Sequence, residues 1–202
     1  MSNKLITVII PSYKRYRNLD VIINCFLCQT CDDWEILVIN DGPDEIKREQ
    51  MKKYSDLYDN IKYIETDKRY NDWGQTPRQI ALKQSTGKWS LITGDDNYYV
   101  PIFVQRMKET ILENSNAGFI YCDFVLDHPR KGVCYNKYMD TKIKFAHIDI
   151  GSFIFKTDIG KKVGYKHKDF NADWKFVRRY RKKMLESGLK DVKIKQTLYI
   201  HN

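Results

Sequence analysis

Three short polar clusters hold the residue types in this chain best suited to chemistry: Pro11-Ser12-Tyr13-Lys14-Arg15, Asn40-Asp41-Gly42 and Gly94-Asp95-Asp96-Asn97. Adjacent carboxylates such as Asp95 and Asp96 repel each other unless a cation or solvent relieves them. A hard divalent ion shared with a substrate diphosphate would account for the pair, because Mg2+ or Mn2+ is typically held by one or two carboxylates plus phosphates. Asp41 taken alone is explained equally well as a turn former.

Each cluster ends an apolar run, and those runs belong to an alternation of strands and helices. Leu5 to Pro11, Glu35 to Asn40, Ile61 to Glu65, Trp89 to Thr93 and Phe119 to Val125 read as strands. Between them, Asn18 to about Cys31, Ile46 to Tyr58, Pro77 to near Gly87 and Pro101 to Asn114 read as helices. Pro77 suits a first helical turn. The alternation predicts an α/β protein with a mainly parallel sheet covered on both faces. Ligands of such sheets bind beyond the carboxyl ends of the strands, so the three clusters are expected along one edge. Farther on, Asp127 to Asp140 reads as a loop or hairpin, Gly151 to Lys156 as a short strand, Asp173 to Ser187 as a basic helix and Val192 to Ile200 as a last strand. Without repeats or a low-complexity linker, residues 1–202 are expected to form one domain.

The ordered set carries a family likeness. The string Gln29-Thr30-x-x-Asp33-Trp34-Glu35-Ile36-Leu37-Val38-Ile39-Asn40-Asp41-Gly42, after Pro11-Ser12-Tyr13 and before Gly94-Asp95-Asp96, resembles the family 2 glycosyltransferases. Gly74 to Leu82 (GQTPRQIAL) resembles that family's Gly-x-x-x-Ala-Arg-Asn-x-Gly segment. The resemblance covers Leu5 to Asn97 well and the rest loosely. It implies the GT-A fold, a Rossmann-like α/β/α sandwich, with a nucleotide-sugar-binding half at 1–97 and an acceptor-side half at 98–202. By the same likeness, Pro11 and Tyr13 line a base pocket and Asp41 accepts from a base N–H. Arg15 joins the nucleotide-sugar-binding set, and Arg78 lies near the diphosphate, where a bidentate guanidinium fits. Asp95 faces the ribose or metal, and Asp96 coordinates Mn2+ or Mg2+. Two departures are the Asp-Asp-Asn string in place of Asp-x-Asp, and Gln79 where the family usually has Asn.

An inverting transfer needs a base opposite the leaving diphosphate to take the acceptor's hydroxyl proton. Asn171-Ala172-Asp173-Trp174 matches the family's base segment in order, with Ala172 replacing the usual first acid. Asp173 is thus expected as the base, against the plainer role of helix cap. Trp174 suits either a sugar face or a buried position. His201 resembles a late family His that approaches the diphosphate or metal, against the plainer reading of a tail residue.

Composition bounds the rest. Hydrophobic residues at 42% and charged residues at 30% allow a packed core. No apolar run approaches a membrane span, and the first residues lack a secretory signal, so a cytoplasmic location is expected. Five cysteines without framework spacing fit reduced thiols. The net charge of +9 is concentrated: Lys156 to Lys195 holds 14 Lys and Arg against 5 Asp and Glu, leaving 21 of each sign elsewhere. This end suits an anionic partner. The dense Arg178, Arg179, Arg181, Lys182 and Lys183 point to peripheral contact with the inner face of an anionic membrane or with an acceptor phosphate, against a merely solvated face. No nucleic-acid recognition motif is present, and no nucleic acid partner is expected.

The expected function is a metal-dependent, inverting transfer of a sugar from a nucleotide diphosphate, UDP being the family's commonest, to a hydroxyl of a glycan or lipid-linked glycan in polysaccharide biosynthesis. The alternative is a non-catalytic nucleotide-sugar-binding module or a fragment of a larger multidomain synthase.

Overall fold

A computed structural model describes residues 4–127, 136–166 and 171–202. Its elements run β1 (Ile6–Ser12), α1 (Tyr16–Leu27), β2 (Trp34–Asn40), α2 (Glu45–Ser55), β3 (Ile61–Glu65), α3 (Gln75–Gln84), β4 (Trp89–Ile92), β5 (Tyr98–Tyr99), α4 (Phe103–Glu113), β6 (Ala117–Asp127) and β7 (Asn136–Met139). After a 3-10 turn at Ile150–Ser152 come β8 (Phe153–Lys156), α5 (Thr157–Val163), α6 (Ala172–Glu186) and β9 (Lys190–His201).

All the strands join one sheet in the order β3-β2-β1-β4-β8-β6-β9-β5, with β7 paired to β6. The first four strands are parallel. Next, β8 enters antiparallel to both β4 and β6, while β9 runs parallel to β6. The expected α/β class is the observed one, with the antiparallel pairs gathered in the second half.

The near-continuous apolar runs follow from burial on both faces. Ile6, Val8 and Ile10 of β1, with Ile36 and Val38 of β2, meet Leu19, Ile22, Ile23 and Phe26 of α1 and Phe103, Val104 and Met107 of α4. The alternate residues Ile9, Leu37 and Ile39 face Ala81 and Leu82 of α3 and Phe176, Val177, Tyr180 and Met184 of α6. Fully burying each such aliphatic or aromatic side chain is worth about 1.5–3 kcal/mol.

The sequence reading lacked α5 and the two-residue β5. In α5, Gly160 sits in mid-helix because an added Cβ would stand 2.4 Å from the Phe155 ring. Part of the expected 127–140 hairpin exists as β6–β7; its remainder, including Cys134, lies outside the described residues, as does Asp169. The four described cysteines are free thiols; Cys25 and Cys31 pack against the core and Cys28 is exposed. No helix among the described residues is long and apolar enough to cross a membrane.

Candidate functional site

Parallel pairing brings the three polar clusters to one edge: Ser12 lies beside Asn40, and Ile9 beside Ile92 just ahead of Gly94. There a cleft of about 380 Å³ opens, lined by Pro11, Tyr13, Asp41, Arg78, Asp95 and Asp96 among others. Arg15 lines it too. A larger cleft of about 580 Å³ lies at the amino end of β2. Its buried Glu35 carboxylate already accepts from Thr7, Thr86 and Lys62, so it offers no unused charge to a ligand.

One wall of the edge cleft is the loop between β3 and α3. Asp41 holds it, accepting from the backbone N–H groups of Tyr70 (2.8 Å) and Asn71 (2.9 Å) through its two oxygens. Each oxygen retains a second lone pair. The Arg69 guanidinium lies 3.9 Å from the Tyr13 ring centre. Asn71, Trp73 and Gly74 all adopt left-handed backbone, with φ of 52°, 54° and 77°. Such a conformation in a residue as bulky as Trp marks strain, which collects at functional sites. Gly74 also admits Pro11, whose Cβ would be 3.2 Å from an added methyl.

The acidic corner sits opposite. Asp95 Oδ2 accepts from Ser12 Oγ at 2.7 Å, and Asp95 Oδ1 from Arg15 Nη1 at 3.3 Å. The same Arg15 nitrogen pairs with Asp96 Oδ2. Burial pushes the Asp95 carboxyl above its ordinary range, against the pull of the Ser12 hydroxyl and Arg15. Gly94 leaves room for the Asp96 carboxylate, whose Oδ1 would be 2.6 Å from an added Cβ. Beneath the corner, Lys47 Nζ donates to Ser12 Oγ.

At the far side of the cleft, Arg78 Nη1 donates to Asp173 Oδ1 at 3.2 Å, and the Tyr165 hydroxyl donates to the same oxygen at 2.9 Å. The Arg78 side chain is only 12% exposed, and its buried Nε has no partner among the described residues. Tyr165 is stacked on Phe176 with ring centres 4.7 Å apart, and its backbone N–H reaches Gln79 Oε1. Asp173 lies one residue inside α6, whose N-cap is Asn171; among the described residues its carboxylate accepts from Arg78 and Tyr165. The residues expected at the diphosphate and at the acceptor are thus in direct contact.

His201 closes the edge beyond Asn97. Its Nδ1 is 3.0 Å from the Tyr199 hydroxyl and 3.2 Å from Asn97 Oδ1, and Tyr199 donates to Asp149 Oδ1 at 2.7 Å. Trp174 is half-buried, edge-on to Phe145. Sequence reasoning missed Lys47, Arg69, Trp73 and Tyr165. Only Trp73, an aromatic beside the glycine of a motif, carried a usable signal.

Comparison with known proteins adds three findings. The model of the family described as Glycosyl transferase family 2 matches residues 7–180. The chain is 26% identical over 124 residues to the Escherichia coli UDP-Glc:alpha-D-GlcNAc-diphosphoundecaprenol beta-1,3-glucosyltransferase WfgD, covering 61% of this chain and 47% of the relative. Among solved structures, Staphylococcus aureus TarS 1–349 in complex with UDP-GlcNAc superposes with a TM-score of 0.78 at 15% identity, over 97% of this chain and 58% of that one. The Pyrobaculum calidifontis mannosyltransferase PcManGT in complex with GDP-Man and Mn2+ gives 0.69 at 15% identity, over 97% and 56%. The chain spans about half the length of the curated relatives it matches.

Proposed function

This chain belongs to glycosyl transferase family 2, and on that footing we propose that it transfers a sugar from a nucleoside diphosphate, UDP in the first instance, to a hydroxyl of a glycan or lipid-linked glycan with inversion at the anomeric carbon. The observation that carries the reading is the convergence of Asp41, Arg78, Asp95 and Asp96 on one cleft, with Asp173 bonded to Arg78 at its side. A sugar nucleotide bound by WfgD, TarS or PcManGT, as their names state, supports the donor class.

In this reading Pro11 and Tyr13 receive the base, and Asp41 accepts from it through the lone pairs its loop bonds leave. Arg15 and Arg78 take the diphosphate, the unpartnered Nε of Arg78 being a donor already desolvated for that purpose. Among the described residues no group of three metal-donor side chains exists. Asp96 and Asp95 would hold a divalent ion together with the donor's phosphates, the mix of one or two carboxylates and phosphate that suits Mg2+ or Mn2+. Such an ion offsets charge on the departing diphosphate. Asp173 accepts the acceptor's proton at Oδ2 as that oxygen bonds to the anomeric carbon; the carbon–diphosphate bond breaks and its electron pair leaves with the nucleotide. Residues 1–97 supply most donor contacts and 98–202 the acceptor side, within one domain. The test is sugar transfer or release from a panel of UDP- and GDP-sugars with and without Mn2+. Turnover of one donor class is expected, and binding without turnover by any acceptor would favour the donor-binding module.

The basic face of α6 is sorted by its contacts. Arg181 pairs with Asp191 and Arg179 donates to Gly164 O, whereas Arg178, Lys182 and Lys183 are exposed beside the exposed Leu185, Lys183 within 3.9 Å of the likewise exposed Glu186. Near an anionic leaflet each basic residue contributes about 1 kcal/mol. Replacing Arg178, Lys182 and Lys183 with Gln is expected to weaken binding to phosphatidylserine vesicles roughly hundredfold at low salt. No vesicle binding by the unmodified protein would leave this face merely solvated.

A further inference from the structure

Lys47 of α2 is fully buried, at 0% exposure, and the reading above gives it no task. An ammonium removed from water is costly unless paired and hydrogen-bonded. Its Nζ donates to Ser12 Oγ, and Ser12 donates onward to Asp95 Oδ2 at 2.7 Å. Ser12 and Asp95 are themselves each 5% exposed. A serine hydroxyl has one proton to give. Because Lys47 donates from below, Ser12 accepts on that side and its proton is directed to Asp95. Lys47 is fixed from both ends: Asp44 accepts from its backbone N–H at 2.9 Å, and the Tyr16 ring centre lies 5.3 Å from Nζ. Tyr16 is held in turn by its hydroxyl bond to Asp44 at 2.9 Å.

Asp95 thus has two cations of different kinds. Arg15 reaches it from the solvent side with a side chain 53% exposed, so it can move to an arriving phosphate. Lys47 cannot leave. Resting on the donor-site reading, we infer that Lys47 is a positioning residue for Asp95: a fixed positive charge, acting through Ser12, that keeps the carboxylate aimed into the cleft and charge-balanced once Arg15 turns to the diphosphate.

Calorimetric titration of UDP with Mn2+ into the unmodified protein, Lys47→Met, Ser12→Ala and the double variant tests this. Each single change removes a hydrogen bond to a charged group and is expected to weaken binding roughly ten- to hundredfold. Because the two residues act in series, the double variant should lose no more than the worse single variant. Additive losses, or unaltered affinity in a folded Lys47→Met protein, would overturn the inference. A merely structural lysine would instead lower the melting temperature and leave affinity alone. If Lys47→Met does not fold, Ser12→Ala alone decides, since it cuts the link and spares both charges. Should the unmodified protein bind neither UDP nor GDP with Mn2+, the donor-site reading fails separately. A ligand-free crystal structure of Ser12→Ala then answers for Lys47: a turned Asp95 carboxylate supports the inference and an unmoved one overturns it.

Discussion

Asp173→Asn should lower turnover by about 10²–10⁴-fold while donor affinity stays nearly unchanged, because general-base catalysis supplies that range and acts only as the acceptor oxygen attacks. The side-chain contacts make Asn the informative choice. Asp173 Oδ1 accepts from both Arg78 and Tyr165, and an Asn carbonyl can keep both bonds while losing the capacity to take a proton. Ala would strip the mostly buried Arg78 guanidinium of its partner and would confound chemistry with packing. Single-turnover kinetics with a competent acceptor measure the effect, and the product anomer should be inverted relative to the donor. Near-normal transfer would move the search for the base to Asp149, which already accepts from Tyr199. Retention of configuration would remove the single-displacement mechanism altogether.

The second large effect is expected at the acidic corner. Asp96→Ala should weaken Mn2+-dependent binding of UDP by at least the roughly 10–100-fold that loss of a mere outer-shell partner costs a metal site. Binding without the metal should hold or improve. Asp96 and Asp95 share one Arg15 nitrogen, so removing one carboxylate loosens Arg15 for the diphosphate. Titrations of UDP in the presence and absence of Mn2+ separate these terms. An equal loss under both conditions would make Asp96 a partner of Arg15 only.

Most strands and helices were legible because two-sided burial writes itself into the chain as unbroken runs such as Ile36-Leu37-Val38-Ile39 between polar stops. The edge clusters were legible for the same reason: topology, not side-chain detail, decides that the ends of β1, β2 and β4 meet. What escaped the sequence depends on contacts that only the fold makes, most of them across 35 to 104 positions. Lys47 reads as one of three surface lysines in α2, and only the fold brings it under Ser12. Tyr165 follows a short helix that has no spacing signal of its own, and its hydroxyl gains meaning only beside Asp173. The pairing of Arg78 with Asp173 joins two residues whose expected tasks lie on opposite sides of the transferred sugar. His201, readable as a tail residue, is instead hydrogen-bonded beside Asn97 at the turn that carries both carboxylates.

The placement of β8 has a bearing on how the chain assembles. It pairs with β4 on one side and β6 on the other, yet it is made some sixty residues after β4. Until residue 156 has left the ribosome, β4 is therefore an open edge, with the N–H and C=O groups of its outer side unpaired. Closing the sheet means inserting a late strand between two early ones, a non-local step of the kind that slows folding and prolongs exposure of sticky intermediates. Thr157 N–H on Lys88 O, and the Tyr180 hydroxyl bridging Lys156 N–H and Gly118 O, tie the strand in once it arrives. Nascent chains halted before β8 would thus be the ones to engage chaperones or aggregate, and release past β9, the last strand to pair with β6 and β5, would mark the point at which the polypeptide becomes self-protecting.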